Sequence, residues 1–365
     1  MRTLPDNNIE VGIWYRKEIK GAISSNGKPY SITFKKGTIN KLLVFFVGGG
    51  LSWNEETAKN PITVGTLIRK QEAFYVSHVT PLQLKFMSVG ILNNKDKRNP
   101  FADWHILAIP YTTADFHLGN RDFSYLDNKG HERIIHHRGE DNVKQALEVL
   151  KQVVPETPET LLIAGVSAGG WGCLAHSPTI HQLYPECKQI VVCVDGSYLP
   201  TANWSIIAKN IWKINSELIQ HIKSDDLISD LFYYVKKKLP NNTKLLHAMS
   251  VYDRDLVKFM NKMNNGKLEV TPQILQTFHQ SLASTVSKLK KEIPNYHFYL
   301  TDYGKKRKNG TTPHVFLGNP KLFYIDMEDD LSIASWLVKA TEGEATDIGS
   351  RFVENTTRDH NSLRN

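Results

Sequence analysis

The sequence predicts an α/β fold: a mainly parallel sheet with helices on both faces and a helical cap inserted near its middle. Two observations carry this. Short continuous apolar runs, the mark of strands buried on both sides, recur along the chain. Between them lie stretches of helical apolar spacing, so strand and helix alternate as a parallel sheet requires.

Taken in order, residues 11–15 read as a first strand, and residues 42–47 as a buried one that stops at Gly48, Gly49 and Gly50. Residues 105–110 form another apolar run. Val143, Ala146, Leu147 and Leu150 then place a helix over 142–154. A strand over 161–164 leads into a turn and a helix, and a further strand covers 190–194. Residues 204–238 read as helical and break the alternation, as a cap over the sheet's carboxyl edge would. Strands at 245–249 and 296–300 flank a long helix over 272–292, and a last helix covers about 329–341. With no repeat and no Pro/Gly/Ser linker, the 365 residues are expected to form a single domain over 1–365 with a cap at about 204–240.

Composition narrows the function. Apolar residues make up 41% and charged residues 22%, which favours a globular chain over a disordered one. The formal net charge of +8 comes largely from short lysine-rich runs such as Lys236-Lys237-Lys238. No aromatic residues interleave with them, so they read as solvated loops and no nucleic-acid partner is expected. Cys173, Cys187 and Cys193 are odd in number and lack metal-ligand spacing, which suits a reducing compartment. Residues 1–10 do not look like a signal peptide, and no apolar run is long enough for a membrane span. A cytoplasmic protein is the expectation. His136-His137 does not make a metal site, because adjacent histidines diverge on most backbones. Neither metal nor organic cofactor is expected, and the oligomeric state is left open.

The densest signal is Gly165-Val166-Ser167-Ala168-Gly169-Gly170, a G-x-S-x-G match between a strand and a helix. A serine on so sharp a turn needs small neighbours two residues to either side. The following helix N-terminus, opening at Ala168, offers N–H groups to an oxyanion. This is the nucleophile elbow of an α/β-hydrolase-type sheet. A serine hydroxyl needs a base oriented by an acid, met here in the order Ser, acid, His. His314 sits on a loop beyond the last main strand and is the candidate base. Asp253 and Asp195 each follow a strand and both stand as candidate acids, with Asp302 third. The glycine run after residue 47 is placed to supply the other half of an oxyanion hole.

Together, the glycine run, the Ser-Ala-Gly-Gly elbow, Val194-Asp195-Gly196-Ser197, Ser250-Val251-Tyr252-Asp253, His314, and Arg138-Gly139 with Asn142 resemble the pectin acetylesterase and Notum carboxylesterase family over about residues 10–340. The resemblance implies hydrolysis of small acyl esters, acetyl from polysaccharide or lipid from protein, with a small-molecule or carbohydrate ester as the expected substrate. By position it implies Ser167 as nucleophile, Asp253 as acid and His314 as base. Gly49, Gly50 and Ala168 become the oxyanion hole, and Asp195 a supporting neighbour. Where the family carries a tryptophan–cysteine pair after the glycines, this chain has Leu51-Ser52-Trp53-Asn54, which points away from a plant-type pectin substrate. An acyltransferase with the same triad and a non-catalytic binding protein on the same scaffold are the competing readings. Specificity is expected to sit in residues 112–138 and 204–238.

Overall fold

Along residues 42–46 the side chains alternate between two cores. Leu42, Val44 and Phe46 enter one, Leu43 and Phe45 the other, and none is more than 2% exposed. That double burial is why the run reads as continuously apolar. The computed structural model describes residues 1–354; the end of the expected domain, 355–365, lies outside the described residues.

Among the described residues the main sheet has nine strands: β1 (Arg2–Thr3), β2 (Trp14–Ile23), β3 (Pro29–Lys35), β4 (Lys41–Phe46), β5 (His105–Ile109), β6 (Thr160–Val166), β7 (Gln189–Asp195), β8 (Lys244–Ser250) and β9 (Tyr296–Thr301). Their order across the sheet is β1-β2-β3-β5-β4-β6-β7-β8-β9. Only β3 runs antiparallel to its neighbours. The mainly parallel α/β-hydrolase-type sheet is therefore present. Helices α1 (Gly139–Val153), α2 (Ala168–Leu183), α3 (Leu227–Lys238), α4 (Arg254–Asn265) and α5 (Pro272–Glu292) bury their apolar sides in one core. Helix α6 (Ile333–Thr341) and residues 91–104 cover the other face.

One feature of this order locates the site. From β4 the chain goes to β5 on one side, then returns to place β6 on the other. The loops leaving β4 and β6 thus part in opposite directions and open a crevice at the strands' carboxyl ends. The glycine run leaves β4 and Ser167 leaves β6.

The segment expected as a helical cap, residues 204–240, is helical in four pieces: Trp204–Ile206, a π-helical turn Ile207–Trp212, Ser216–Ile219 and the 12-residue α3. Lys213 in the left-handed region and the N-caps Asn215 and Asp226 break the run. Trp204 and Trp212 turn inward and pack around Phe116, which stacks on Trp171 of α2 at 4.1 Å. The segment thickens one face of the core rather than walling the crevice.

Candidate active site

The turn after β6 is as sharp as its glycines require. Ser167 has φ 52° and ψ −129°, a conformation costly for a residue with a side chain, on the order of 1–3 kcal/mol. Neighbouring contacts hold it there. The Ser167 N–H donates to the Asp195 carbonyl at 2.8 Å, and Ser197 Oγ donates to the Ser167 carbonyl at 2.6 Å. A Cβ on Gly165 would lie 2.2 Å from the Gly169 carbonyl oxygen, and one on Gly169 2.2 Å from that of Phe46. The G-x-S-x-G spacing is thus a packing requirement between strand, helix and β4.

The glycine run abuts this turn. A Cβ on Gly48 would lie 2.5 Å from the Val166 carbonyl oxygen and 2.6 Å from Ser167 Cβ. Beyond it, the Leu51 N–H donates to the Phe74 carbonyl and the Val76 N–H to the Gly49 carbonyl. In this antiparallel bridge between Gly50 and Tyr75 the ladder bonds fall on either side of Gly50, leaving its own N–H outside the ladder. Ala168, as the first residue of α2, likewise has an N–H with no acceptor one turn behind. The arrangement can present backbone donors from two loops to one point.

Asp253 and His314 meet directly. His314 Nδ1 lies 2.6 Å from Asp253 Oδ2, with the aspartate wholly buried and the imidazole partly so. The other carboxylate oxygen, Oδ1, accepts the N–H groups of Asp255 and Leu256, so Asp253 is also the N-cap of α4. Those bonds fix the carboxylate and leave Oδ2 for the histidine. Burial acts against the His314 cation, but the negative charges of Asp253, Asp255 and Asp195 outweigh it and push the imidazole up to about 9.

Asp195, the competing acid, turns elsewhere. Its Oδ2 accepts the N–H groups of Phe316 at 2.6 Å and Leu317 at 2.7 Å, just beyond His314. It anchors the histidine loop rather than the imidazole. Burial pushes its carboxyl up to about 7, against the pull of those two N–H bonds. Asp302 bonds outward to Arg351.

Ser167 and His314 line one cavity of about 500 Å³ with Gly48, Gly49 and Gly50. Its other walls are mostly apolar, among them Phe74, Met87, Val89, Leu92 and Phe259. None of residues 112–138 or 204–238, where specificity was expected, is among its lining residues; Ile62, Phe74, Met87, Val89 and Leu92, with Leu256 and Phe259 of α4, line it instead.

The sequence profile of the pectinacetylesterase family matches residues 6–228. The chain belongs to the pectinacetylesterase family. Membership makes it a serine esterase, a carboxylic ester hydrolase. The matched stretch holds the glycine run and Ser167, while Asp253 and His314 lie beyond it. Two crystal structures of the Wnt deacylase Notum from Drosophila share the fold, each at 17% identity and a TM-score of 0.61. Crystal form I covers 90% of this chain and 92% of that one, and crystal form II 91% and 95%. No curated protein matches the sequence.

Three features of this pectinacetylesterase-family chain escape sequence reading. Gly48, not Gly49 or Gly50, is the glycine pressed against Ser167. Asp255 lines the cavity beside His314. Buried His117 bonds the Val47 carbonyl through Nε2 at 3.0 Å, steadying the start of the glycine run, while Asp115 accepts bonds from Thr113, His117 and Gly139. Three residues with φ near 60°, Ala114, Phe116 and His117, mark that loop as strained, which no residue pattern announces. His136 bonds Asp122 and His137 the Thr113 carbonyl, so the two rings diverge.

Proposed function

We propose that the chain hydrolyses carboxylic esters through an acyl-enzyme on Ser167, with His314 as general base and Asp253 as the acid that orients it. The single observation behind this reading is the 2.6 Å contact between His314 Nδ1 and Asp253 Oδ2 beside a cavity that Ser167 also lines. In the first step Ser167 Oγ attacks the ester carbonyl carbon while its proton passes to His314 Nε2. The tetrahedral oxyanion is met by the N–H groups of Ala168, Gly49 and Gly50. The C–O bond to the alcohol then breaks, and His314 returns the proton to the departing alkoxide. Water repeats the sequence on the acyl-enzyme, releasing the acid and restoring Ser167. Asp253 keeps the proton of His314 on Nδ1 and offsets the imidazolium charge.

The acyl group is read from the cavity. An acetyl ester on a carbohydrate is the simplest substrate expected of the sequence, but a mostly apolar space of about 500 Å³ favours acyl chains well beyond acetyl. The compartment is a separate proposal: three cysteines, all free and buried, suit the reducing cytoplasm. The test is turnover of p-nitrophenyl esters from acetate to octanoate by wild type and Ser167→Ala, with fluorophosphonate labelling alongside. Turnover that rises with chain length and vanishes in Ser167→Ala supports the reading. Equal silence from both proteins, with Ser167 unlabelled, overturns it.

A further inference from the structure

Among the described residues, the four most exposed large apolar side chains are Val64 (74%), Ile68 (76%), Leu82 (65%) and Phe86 (70%). They are not scattered. Val64 and Ile68 lie four residues apart on one short helix, Val64–Ile68, and Leu82 and Phe86 four apart on another, Pro81–Phe86. Each pair therefore shares a helix face. Both helices are built to hold. The first is fixed by the Thr63–Thr66 hydroxyl bonds, the second by the Thr80–Gln83 capping box and by Leu84, which is 2% exposed.

These exposed faces continue into the cavity. Ile62, two residues before Val64, and Met87 and Val89, just after Phe86, line the cavity that holds Ser167. Both helices thus adjoin the cavity walls along the chain, one just after Ile62 and the other just before Met87. Charge supplies the second argument. Residues 59–92 hold Lys59, Arg69, Lys70 and Lys85 against a single acid, Glu72, which pairs with Lys262. Arg69, Lys70 and Lys85 are exposed, and none has an ion pair among the described residues. Exposed apolar side chains beside unpaired cations match an anionic lipid–water interface, which takes up both.

We infer that residues 62–89 form an interfacial docking surface that seats the cavity mouth on an anionic lipid surface. Three cations at about 1 kcal/mol each correspond to a preference of roughly 100-fold for anionic over neutral vesicles. The test is co-sedimentation of the full chain with vesicles of phosphatidylcholine alone and of phosphatidylcholine with about 30% phosphatidylglycerol. Expected is binding that requires phosphatidylglycerol and weakens with salt. The Arg69→Gln/Lys70→Gln/Lys85→Gln variant loses the preference. The Val64→Ser/Ile68→Ser/Leu82→Ser/Phe86→Ser variant loses binding while keeping turnover of a soluble short ester. That turnover, read in the same samples, keeps failure of the esterase reading distinct from failure of this one. Wild type that ignores both vesicle types overturns the inference. So does a wild-type dimer in light scattering that the serine variant converts to monomer, which would assign the face to a second copy.

Discussion

Titration of His314 offers the sharpest test of the proposed triad. The neighbouring carboxylates, led by Asp253, hold its imidazole at about 9 against an ordinary 6.5, with burial opposing them. At about 1.4 kcal/mol per pH unit, the gap favours the imidazolium by about 3 kcal/mol. Only the neutral ring can take the Ser167 proton. In the free enzyme at pH 7 roughly 1% of molecules would hold it. The expected result is therefore a kcat/KM that climbs through neutral pH and levels only near 9, since this quantity reports ionisation of the free enzyme. Asp253→Asn removes the main opposing charge and leaves burial to act. Its limb should move back toward 6.5, while its plateau falls about 10⁴-fold because the ring loses its oriented tautomer. The assay is hydrolysis of a soluble p-nitrophenyl ester from pH 5 to 10, corrected for spontaneous hydrolysis. A wild-type limb at or below 6.5, or a limb that Asp253→Asn leaves in place, would refute the reasoning.

Three further outcomes follow from the same geometry. Gly48→Ala puts a methyl 2.5 Å from the Val166 carbonyl oxygen and 2.6 Å from Ser167 Cβ, so the glycine run must shift; kcat is expected to fall about 10²–10³-fold, as for loss of an oxyanion donor, with thermal stability recorded in parallel. Asp195→Ala leaves the buried N–H groups of Phe316 and Leu317 without their acceptor, and at about 1–3 kcal/mol for each, urea denaturation should register a loss of roughly 2–6 kcal/mol together with a lower kcat on every ester. Val89→Phe narrows the cavity without touching Ser167 or His314. If it excludes three methylenes at about 0.8 kcal/mol each, kcat/KM on octanoate should drop roughly 50-fold while acetate is spared. Equal loss on both esters would place the acyl chain elsewhere.

How much of this was visible beforehand depended on where each signal resides. Strands β4 to β9 are buried on both faces, so each appears as an apolar run, and expected and observed bounds differ by only a residue or two. Helix α5 matches residue for residue because Thr271 caps it and Pro272 opens it. The first expected strand, 11–15, instead runs over Trp14–Ile23, since it carries Arg16, Glu18 and Lys20 on its more exposed face and loses the apolar mark. Strand β3 is buried from Ile32 to Lys35, but Ser31, Thr33 and Lys35 interrupt its apolar residues; the hairpin Arg121–Leu126 with Glu132–His137 is largely solvent-facing and carries no apolar run. Helix α4 has a buried stripe, Leu256, Val257, Met260 and Met263, but its polar residues outnumber these and hid it.

The site divides in the same way, between what one stretch of chain encodes and what only assembly creates. Ser167 carries its own context, because the glycines that permit its backbone are its sequence neighbours. The choice between Asp253 and Asp195 does not, because they stand at the carboxyl ends of parallel strands that lie side by side, Asp195 as the last residue of β7, in register with Ala248, and Asp253 three residues beyond β8. What separates them is the occupant of the space above each strand end, His314 for Asp253 and the amides of Phe316 and Leu317 for Asp195. In Asp253 a helix cap and the acid of the proposed triad are combined: Oδ1 caps α4, and the rigidity this confers aims Oδ2 at the imidazole. The cavity walls were the least legible part. Their residues come from β4, the 62–92 segment, α4 and the histidine loop, and each is an ordinary apolar side chain until the reversal at β4 brings them together. Chemistry that rests on one rare backbone shape is thus written locally, while substrate choice, which rests on the shape of an empty space, is written nowhere in particular and appears only with the fold.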